Sequence, residues 1–297
     1  MSPGIEVHNL HLRYGKTTAL RDLTFSLSGG KICGLLGRNG SGKTSLLSVL
    51  ASLRPAPGGS VTIGGEAPFE NPRVMPRVCF IPAAGKGASD SADSTRVRTA
   101  LDLAAATRPR WDRDYAQHLL ERFGLPLDKR LSSLSLGMRS ALNVTIGLAA
   151  RAPVTLFDES YLGMDAHARY AFYEELLDDY MATPRTIILS THLIEEIGSL
   201  LEEVVIIDRG RLVLHEDAET LRSQGAVCTG PAEAVDDFTA GMTVLGEQRL
   251  GQTKATTVYG PLDDRERERA HAAGLELGPV ALQDLFVHLT KELEGSR

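Results

Sequence analysis

A glycine-rich stretch of eight residues carries the clearest chemistry in this chain. It follows the spacing G-x-x-x-x-G-K-T and consists of Gly37, Arg38, Asn39, Gly40, Ser41, Gly42, Lys43 and Thr44. Glycines let such a loop curl so that its backbone N–H groups can surround an anion. Lys43 can place a positive charge on the β- and γ-phosphates of a nucleotide, and the Thr44 hydroxyl can bind magnesium. The stretch therefore predicts a binding site for a phosphate chain.

Two acidic residues and a histidine could supply the reactive groups. Asp158 and Glu159 follow the apolar run 153–157, and His192 follows the apolar run 186–190. Open α/β sheets bind ligands at the carboxyl ends of their strands, so we expect these side chains at one edge. Asp158 can hold magnesium through water, and Glu159 can orient or polarise an attacking water. His192 is either a cap or packing residue, or a sensor of the γ-phosphate.

Local patterns predict the elements that must position the glycine-rich stretch. Residues 32–36 are apolar and indicate a buried strand, and residues 45–50 indicate the start of a helix. The positive end of that helix would face the bound phosphates. Strand, loop and helix in this order are the context that the spacing requires.

Three other residues leave two interpretations open. Tyr14 is an aromatic residue on a polar turn, and it is either a half-buried packing residue or a platform on which adenine stacks. Ser135 and Gly137 open a predicted helix. They either cap that helix or present an anion site at its N-terminus.

The composition is typical of a soluble globular protein with one large domain and a small second one. The chain has 297 residues, of which 42% are hydrophobic. Its net charge of −6 argues against a nucleic-acid partner held by bulk charge. Cys33, Cys79 and Cys228 are widely spaced, which favours buried thiols in a reducing cytoplasm. The sequence shows no signal peptide and no apolar run near the roughly 20 residues of a membrane helix, so any span would belong to another chain.

Weaker patterns outline the rest of the chain. Alternation within residues 5–27 predicts antiparallel strands, and residues 97–147 predict helices, one of them capped by Asp112. Residues 83–95 are small and polar and predict a mobile loop. A hairpin should turn at Arg209 and the glycine that follows it.

The character of the sequence changes near residue 223. Before that point, residues 193–201 predict a helix. Residues 226–297 contain strand-like pieces, a charged helix over residues 263–271 and a terminal amphipathic helix. We expect a small α+β domain, which either stabilises a dimer or senses a ligand.

Taken in order, these motifs resemble the ATP-binding cassette (ABC) family of transporter ATPases over about residues 4–222. The order is an aromatic loop, a phosphate loop, a helical insert, a Ser-x-Gly signature, an acidic strand end, an Asp loop and a His. The resemblance implies an α/β P-loop NTPase with a mixed or parallel sheet core, an antiparallel β subdomain and a helical insert of about residues 84–147. Residues 1–222 would form the nucleotide-binding domain, and residues 223–297 a small α+β accessory domain.

The resemblance also implies ATP and Mg²⁺ as cofactors and a role for each motif. For the ATP bound to this chain itself, adenine would stack on Tyr14. Residues 37–44 and the adjoining Ser45 would hold the phosphates, and Thr44 and Asp158 would hold the magnesium. Glu159 would be the catalytic base and His192 would contact the γ-phosphate. Ser135 and Gly137 would contact the ATP that is bound to an opposing subunit, and Asp165 would lie at the subunit interface.

The implied partners are a second ABC ATPase subunit, identical or not, and a transmembrane permease in a separate chain, with no nucleic acid. The protein would be cytoplasmic and peripheral on the inner face of the membrane. The Ser-Leu-Gly-Met signature, residues 190–196 and the tail look most like the bacterial exporter branch, whose permeases move drugs, antibiotics, peptides or lipids outward. An importer ATPase and a soluble cassette protein are the alternatives.

Two positions depart from the family pattern. The family usually has Gln after the fifth strand, where this chain has Ala83, and the role of that Gln is either missing or taken by a group in residues 84–90. The family usually has Pro after the catalytic Glu, where this chain has Ser160 followed by Tyr161. Both departures concern the rate of hydrolysis more than the binding of ATP.

Overall fold

The computed structural model describes residues 2–85 and 94–295, with side chains as far as residue 290. The chain forms two compact units. Unit 1 is Met1–His192 with Ile207–Leu212, and unit 2 is Leu193–Ile206 with Val213–Arg297. The loop predicted to be mobile, residues 83–95, lies mostly outside the described residues. The domain boundary after residue 222 stays a prediction.

Unit 1 contains an antiparallel sheet in which alternate residues are buried. Its strand order is β2-β1-β4, and the strands are β1 (Ile5–Tyr14), β2 (Thr17–Leu27) and β4 (Gly58–Ile63). Ile5 pairs with Leu27 on one side and with Ile63 on the other, and all three side chains are buried. The alternation in residues 5–27 therefore predicted these strands correctly.

A parallel sheet forms the centre of unit 1. Four of its strands lie in the order β5-β6-β7-β3, and they are β3 (Ile32–Leu36), β5 (Val78–Ile81), β6 (Val154–Asp158) and β7 (Thr186–Thr191). Every residue of β3, β6 and β7 is buried, as continuous apolar runs predict for strands covered on both faces. Asp158 pairs with Ser190, and Leu36 pairs with Thr191, so the carboxyl ends of three strands meet at one edge.

The residues of unit 1 that the structure describes form five α-helices. They are α1 (Lys43–Leu50), α2 (Val97–Thr107), α3 (Arg113–Arg122), α4 (Leu136–Ala149) and α5 (Ala166–Ala182). The predicted cap of α3 is confirmed, since the Asp112 carboxylate accepts a hydrogen bond from the Tyr115 N–H at 2.9 Å. Gly124 follows the end of α3 with a φ of 60°.

A hairpin joins β8 (Glu203–Asp208) to β9 (Arg211–Asp217). Arg209 and Gly210 have φ angles of 46° and 78°, as a tight two-residue turn requires, so the predicted turn is confirmed. The helix predicted over residues 193–201 is wrong in its extent. The structure has the short helix α6 (Ile194–Ile197) and then a 3-10 turn (Gly198–Leu200), because Gly198 is a poor helix former.

The tail of unit 2 alternates strands and helices around its own core. Its elements are α7 (Ala218–Ser223), β10 (Gly225–Pro231), α8 (Ala232–Thr239), β11 (Thr243–Leu250), β12 (Thr253–Tyr259), α9 (Asp264–Ala272), β13 (Glu276–Pro279) and α10 (Leu282–Gly295). The β-α-β-β-α-β order and the antiparallel sheet β11-β12-β10-β13 make a ferredoxin-like arrangement. Cys228, Val235 and Phe238 are buried in its core, which confirms the expected α+β tail.

Candidate nucleotide site

The glycine-rich loop connects β3 to α1 and is pressed against neighbouring backbone. Gly42 has a φ of 113°, and a Cβ at this position would lie 2.8 Å from the Ala19 carbonyl oxygen. The Gly210 N–H also donates to the Ser41 carbonyl of the loop at 2.8 Å, and Gly210 is itself bonded to β2 through the Arg21 N–H at 2.7 Å. Gly42 is therefore fixed by both its conformation and its surroundings.

A cavity of about 330 Å³ lies beside this loop. Its walls are residues 17–19 of β2, residues 39, 40 and 42 of the loop, the first residues of α1, and Glu159. Of the residues predicted to hold phosphate, Asn39, Gly40, Gly42, Lys43, Thr44 and Ser45 line this cavity. The glycine-rich loop and the acidic strand end thus share one site, as the sequence predicted.

Lys43 is held above the loop by its own backbone. Its Nζ donates hydrogen bonds to the Gly37 carbonyl at 2.7 Å and to the Arg38 carbonyl at 3.2 Å. The same Nζ lies 3.6 Å from Oε1 of Glu159, and only 5% of the Lys43 side chain is exposed. A buried ammonium in this position is ready to bind a phosphate, which would replace the carboxylate as its counter-charge.

Asp158 and Thr44 form the part of the site that suits a hard cation. The Thr44 hydroxyl donates to Asp158 Oδ2 at 2.7 Å, and the Ser190 hydroxyl donates to Asp158 Oδ1 at 3.0 Å. Hydroxyl and carboxylate oxygens are ligands that Mg²⁺ prefers, together with water and phosphate. Within residues 2–85 and 94–295 no three His, Cys, Asp or Glu side chains form a metal cluster. This donor set fits an ion that is bound mostly by phosphates and water.

A buried hydroxyl of the loop supports the same interpretation. Ser41 is 2% exposed, and its Oγ has no hydrogen-bond partner among the residues that the structure describes. Buried polar atoms are seldom left without a partner, and each one calls for an explanation. An anion held in the loop would provide one.

Glu159 and His192 complete the cluster at the sheet edge. Glu159 adopts a φ of 47°, which is uncommon for a residue with a side chain and is often found at functional sites. Its N–H donates to the Ser190 carbonyl at 3.1 Å, which fixes it beside the end of β7. His192 Nδ1 lies 3.3 Å from Glu159 Oε1. The structure therefore brings together Lys43, Asp158, Glu159 and His192.

Two residues near Glu159 were not predicted to have a role in the site. Ser160 stands where the family usually has Pro, and its hydroxyl donates to the Ile81 carbonyl at 2.9 Å. Tyr161 is 4% exposed, and its hydroxyl lies 2.7 Å from Thr191 Oγ1. The only signal in the sequence was their position directly after the acidic pair. Ala83, where Gln is usual, is 1% exposed and offers no polar side-chain group, so residue 83 cannot supply that role.

Tyr14 lies at the end of β1, where it pairs with Thr17, a residue of the cavity wall. Its side chain is 38% exposed, and the Arg54 guanidinium stands 4.6 Å from the centre of its ring. One side of the ring therefore has a cation–π contact. Both earlier interpretations remain open, and the stacking of adenine on Tyr14 stays a prediction.

Ser135, Gly137 and Asp165 lie together in a second cleft of unit 1, of about 320 Å³, which shares no lining residue with the first cavity. Ser135 Oγ caps α4 by accepting a hydrogen bond from the Met138 N–H at 3.2 Å, and Asp165 caps α5 in the same way through the Ala168 N–H at 2.8 Å. The capping interpretation of Ser135 is thus confirmed. The structure does not bring these residues to the Lys43 cavity of their own chain.

Two further expectations concern the whole chain. Cys33, Cys79 and Cys228 are all buried free thiols, as predicted. Burial raises the pKa of the Cys79 and Cys228 thiols, which makes them poor nucleophiles. In the part of the chain that the structure describes, no helix has the length and apolarity needed to cross a bilayer.

Comparisons with known proteins identify the family. A family model described as ABC transporter matches residues 20–161. The Nod factor export ATP-binding protein I of Ralstonia nicotianae is 31% identical over 307 residues, which cover 97% of this chain and 94% of that protein. The doxorubicin resistance ATP-binding protein DrrA of Mycobacterium tuberculosis is 27% identical over 236 residues, which cover 78% of this chain and 71% of that protein.

Solved structures support the fold. The structure of an ATP binding subunit of an ABC transporter superposes with a TM-score of 0.65 at 24% identity, and the match covers 74% of this chain and 92% of that one. The phosphate loop, the acidic strand end and a relative aligned over nearly the whole chain lead to one assignment. This chain belongs to the ABC transporter family, as an ATP-binding and ATP-hydrolysing subunit.

Proposed function

We propose that this chain powers an exporter by closing with a second ABC subunit over two ATP molecules and driving a permease in a separate chain. One observation carries the proposal. The buried side chains of Lys43 and Glu159 line one cavity, with Asp158 bonded to Thr44 at its edge, whereas Ser135 and Gly137 are in a cleft of their own. A second subunit that faces the first head-to-tail would bring these two half-sites together.

The residues of the cavity support a role for each in hydrolysis. Lys43 would leave the loop carbonyls and Glu159 to bind the β- and γ-phosphates, which would free the Glu159 carboxylate to orient the attacking water. His192 would contact the γ-phosphate. Thr44 and Asp158 would hold Mg²⁺, which would neutralise negative charge on the β- and γ-phosphates.

Ser135 can cap its helix and contact ATP at the same time. In the cap its oxygen accepts a hydrogen bond, while the proton of the same hydroxyl can be donated to a phosphate oxygen. Gly137 lies where a Cβ would come within 2.5 Å of the Gly163 carbonyl, so the start of α4 packs directly on the loop before Asp165. The N-terminal end of α4 adds a favourable field for an anion.

ATP would drive closure because its γ-phosphate contacts both subunits only in the closed dimer. This is a population shift, and its size is set by the difference in ATP affinity between the open and closed forms. Hydrolysis removes the γ-phosphate and thereby reopens the dimer. The second subunit is either a copy of this chain or a related cassette.

The export direction and the location rest on the relatives. Two of them are named for Nod factor export and for doxorubicin resistance, which supports outward transport of a drug-like or lipid-like molecule. We place the chain in the cytoplasm, peripheral on the inner face of the membrane, with recognition of the cargo left to the permease.

Purification of the tagged full-length chain from the membranes of its own cells tests this function. The chain should retain a membrane protein with several spans, and mass spectrometry would identify it. Cells that express the untagged chain are the control. Recovery of a solute-binding protein with the permease would indicate an importer instead, and recovery of ribosomes without a permease would contradict transport.

A further inference from the structure

Tyr161 links the loop that carries Glu159 to the end of the neighbouring strand. Its hydroxyl lies 2.7 Å from Thr191 Oγ1 and 3.4 Å from His192 Nδ1, and the His192 N–H donates to it at 3.4 Å. The ring is 4% exposed and tilts by 49° against the imidazole of His192, with ring centres 6.2 Å apart. One hydroxyl thus contacts both residues at the end of β7.

Residues 159–164 form a compact turn, so the positions of Glu159 and Tyr161 are fixed relative to each other. The Leu162 N–H donates to the Glu159 carbonyl at 3.1 Å, and the Met164 N–H donates to the Tyr161 carbonyl at 3.1 Å. Ser160 between them is bonded to Ile81 of β5. Glu159 and Tyr161 are therefore held as one rigid piece of backbone, tied to the strand on its other side.

His192 needs support of this kind. Its side chain is 37% exposed, so packing alone does not fix its orientation. Both groups that approach Nδ1, the Glu159 carboxylate at 3.3 Å and the Tyr161 hydroxyl at 3.4 Å, come from this turn. They hold the Nδ1 edge of the imidazole and leave its Nε2 edge for a phosphate oxygen.

We infer that Tyr161 is a positioning residue for ATP hydrolysis, whose hydroxyl fixes His192 relative to Glu159. The inference rests on the proposed roles of Glu159 and His192. A purely structural Tyr161 would fill space with its ring and satisfy its hydroxyl on Thr191. The positioning role and the purely structural role differ in their effect on hydrolysis when the hydroxyl is removed and the ring is kept.

The substitution Tyr161→Phe in the full-length chain isolates the hydroxyl, and Tyr170→Phe is the matched control because Tyr170 is 57% exposed on α5. We expect Tyr161→Phe to lower kcat for Mg-ATP by about three- to tenfold, the range of one hydrogen bond, with KM changed by less than about twofold. Tyr170→Phe should change neither value.

Combination with His192→Ala tests whether Tyr161 acts through His192. The loss caused by Tyr161→Phe should disappear in a chain that already carries His192→Ala, because the hydroxyl then has no imidazole to position. Losses that multiply in the double variant would overturn the inference, and so would an unchanged kcat in Tyr161→Phe.

A second measurement separates this inference from the proposed function. In protein labelled at histidine, the ring resonances of His192 are identified by their loss in His192→Ala. They should shift in Tyr161→Phe and not in Tyr170→Phe, and unshifted resonances would overturn the inference whatever the activity. If the wild type and Glu159→Gln hydrolysed ATP equally slowly, the proposed role of Glu159 would fail, while these resonances would still decide the contact.

Discussion

The two clefts of unit 1 use polar side chains in opposite ways. Beside the glycine-rich loop, Lys43, Asp158 and Glu159 are at most 8% exposed. Lys43 contacts the loop carbonyls and Glu159, and Asp158 accepts a hydrogen bond from the Thr44 hydroxyl. In the cleft of Ser135 and Asp165, both residues are exposed and cap helices. The first cleft contains buried charges, whereas the charged residues that line the second, Arg122 and Asp165, are exposed.

This difference indicates which half of the ATP site can act without a partner. Burying a charge is costly unless it is paired, so the contacts among Lys43, Glu159 and the loop are arranged before ATP arrives. An exposed cap pays no such penalty and needs no fixed partner. We therefore expect the first cleft to bind nucleotide in the isolated chain and the second to contribute only after the subunits associate.

Removal of Lys43 should give the largest effect. In Lys43→Ala the loop loses the ammonium group that we propose binds the terminal phosphates, and charge-assisted hydrogen bonds to such a group are each worth about 1.5–3 kcal/mol. We expect ATP affinity to fall by about 100-fold, measured by calorimetry. Lys254→Ala, which removes a lysine paired with Asp236 and Glu247 in unit 2, should bind ATP normally. Equal affinity in Lys43→Ala and the wild type would contradict the site.

Glu159→Gln should affect turnover and spare binding. The amide keeps the size of the side chain and loses the carboxylate that we propose orients the attacking water, and general-base catalysis of this kind is worth about 10²–10⁴ in rate. We expect phosphate release to fall at least about 100-fold at saturating Mg-ATP, and light scattering should show an ATP-dependent dimer. Glu174→Gln is the control, because this glutamate is exposed and paired with Arg122. Wild-type hydrolysis by Glu159→Gln would remove it from its role.

The smallest effect should come from the second cleft. Ser135→Ala removes a cap and, in the proposed dimer, the proposed contact with ATP. We expect a loss of stability of about 1 kcal/mol, unchanged ATP affinity in the monomer and a several-fold lower rate. Asp263→Ala removes the corresponding cap of α9 in unit 2 and should lose similar stability at full activity. If the two variants had the same activity, Ser135 would be a cap and nothing more.

For the tail of unit 2, the sequence predicted the α+β class but not the order of the strands in its sheet. Its charged helix was expected over residues 263–271 and runs over Asp264–Ala272, with Asp263 and Glu266 in a capping box. The order of its sheet could not be deduced, because antiparallel strands of this length can pair in several ways and packing of side chains decides among them. The helix expected over residues 193–201 ends before Gly198, because glycine is a poor helix former.

The sequence by itself determined the phosphate loop, the buried strands on either side of it and the acidic pair at the sheet edge. These depend on glycines, caps and apolar runs, whose signals are local and lie within about 15 residues. The sequence also determined the order of the motifs on which the family resemblance rests.

Tertiary structure decided how residues distant in sequence meet. It placed Glu159 beside Lys43, brought Tyr161 to Thr191 across 30 positions and kept Ser135 in a cleft apart from the Lys43 cavity. The physical reason is that these contacts depend on which strands pair and in what register. A shift of one residue between β6 and β7 would separate Asp158 from Ser190 and leave every local motif unchanged.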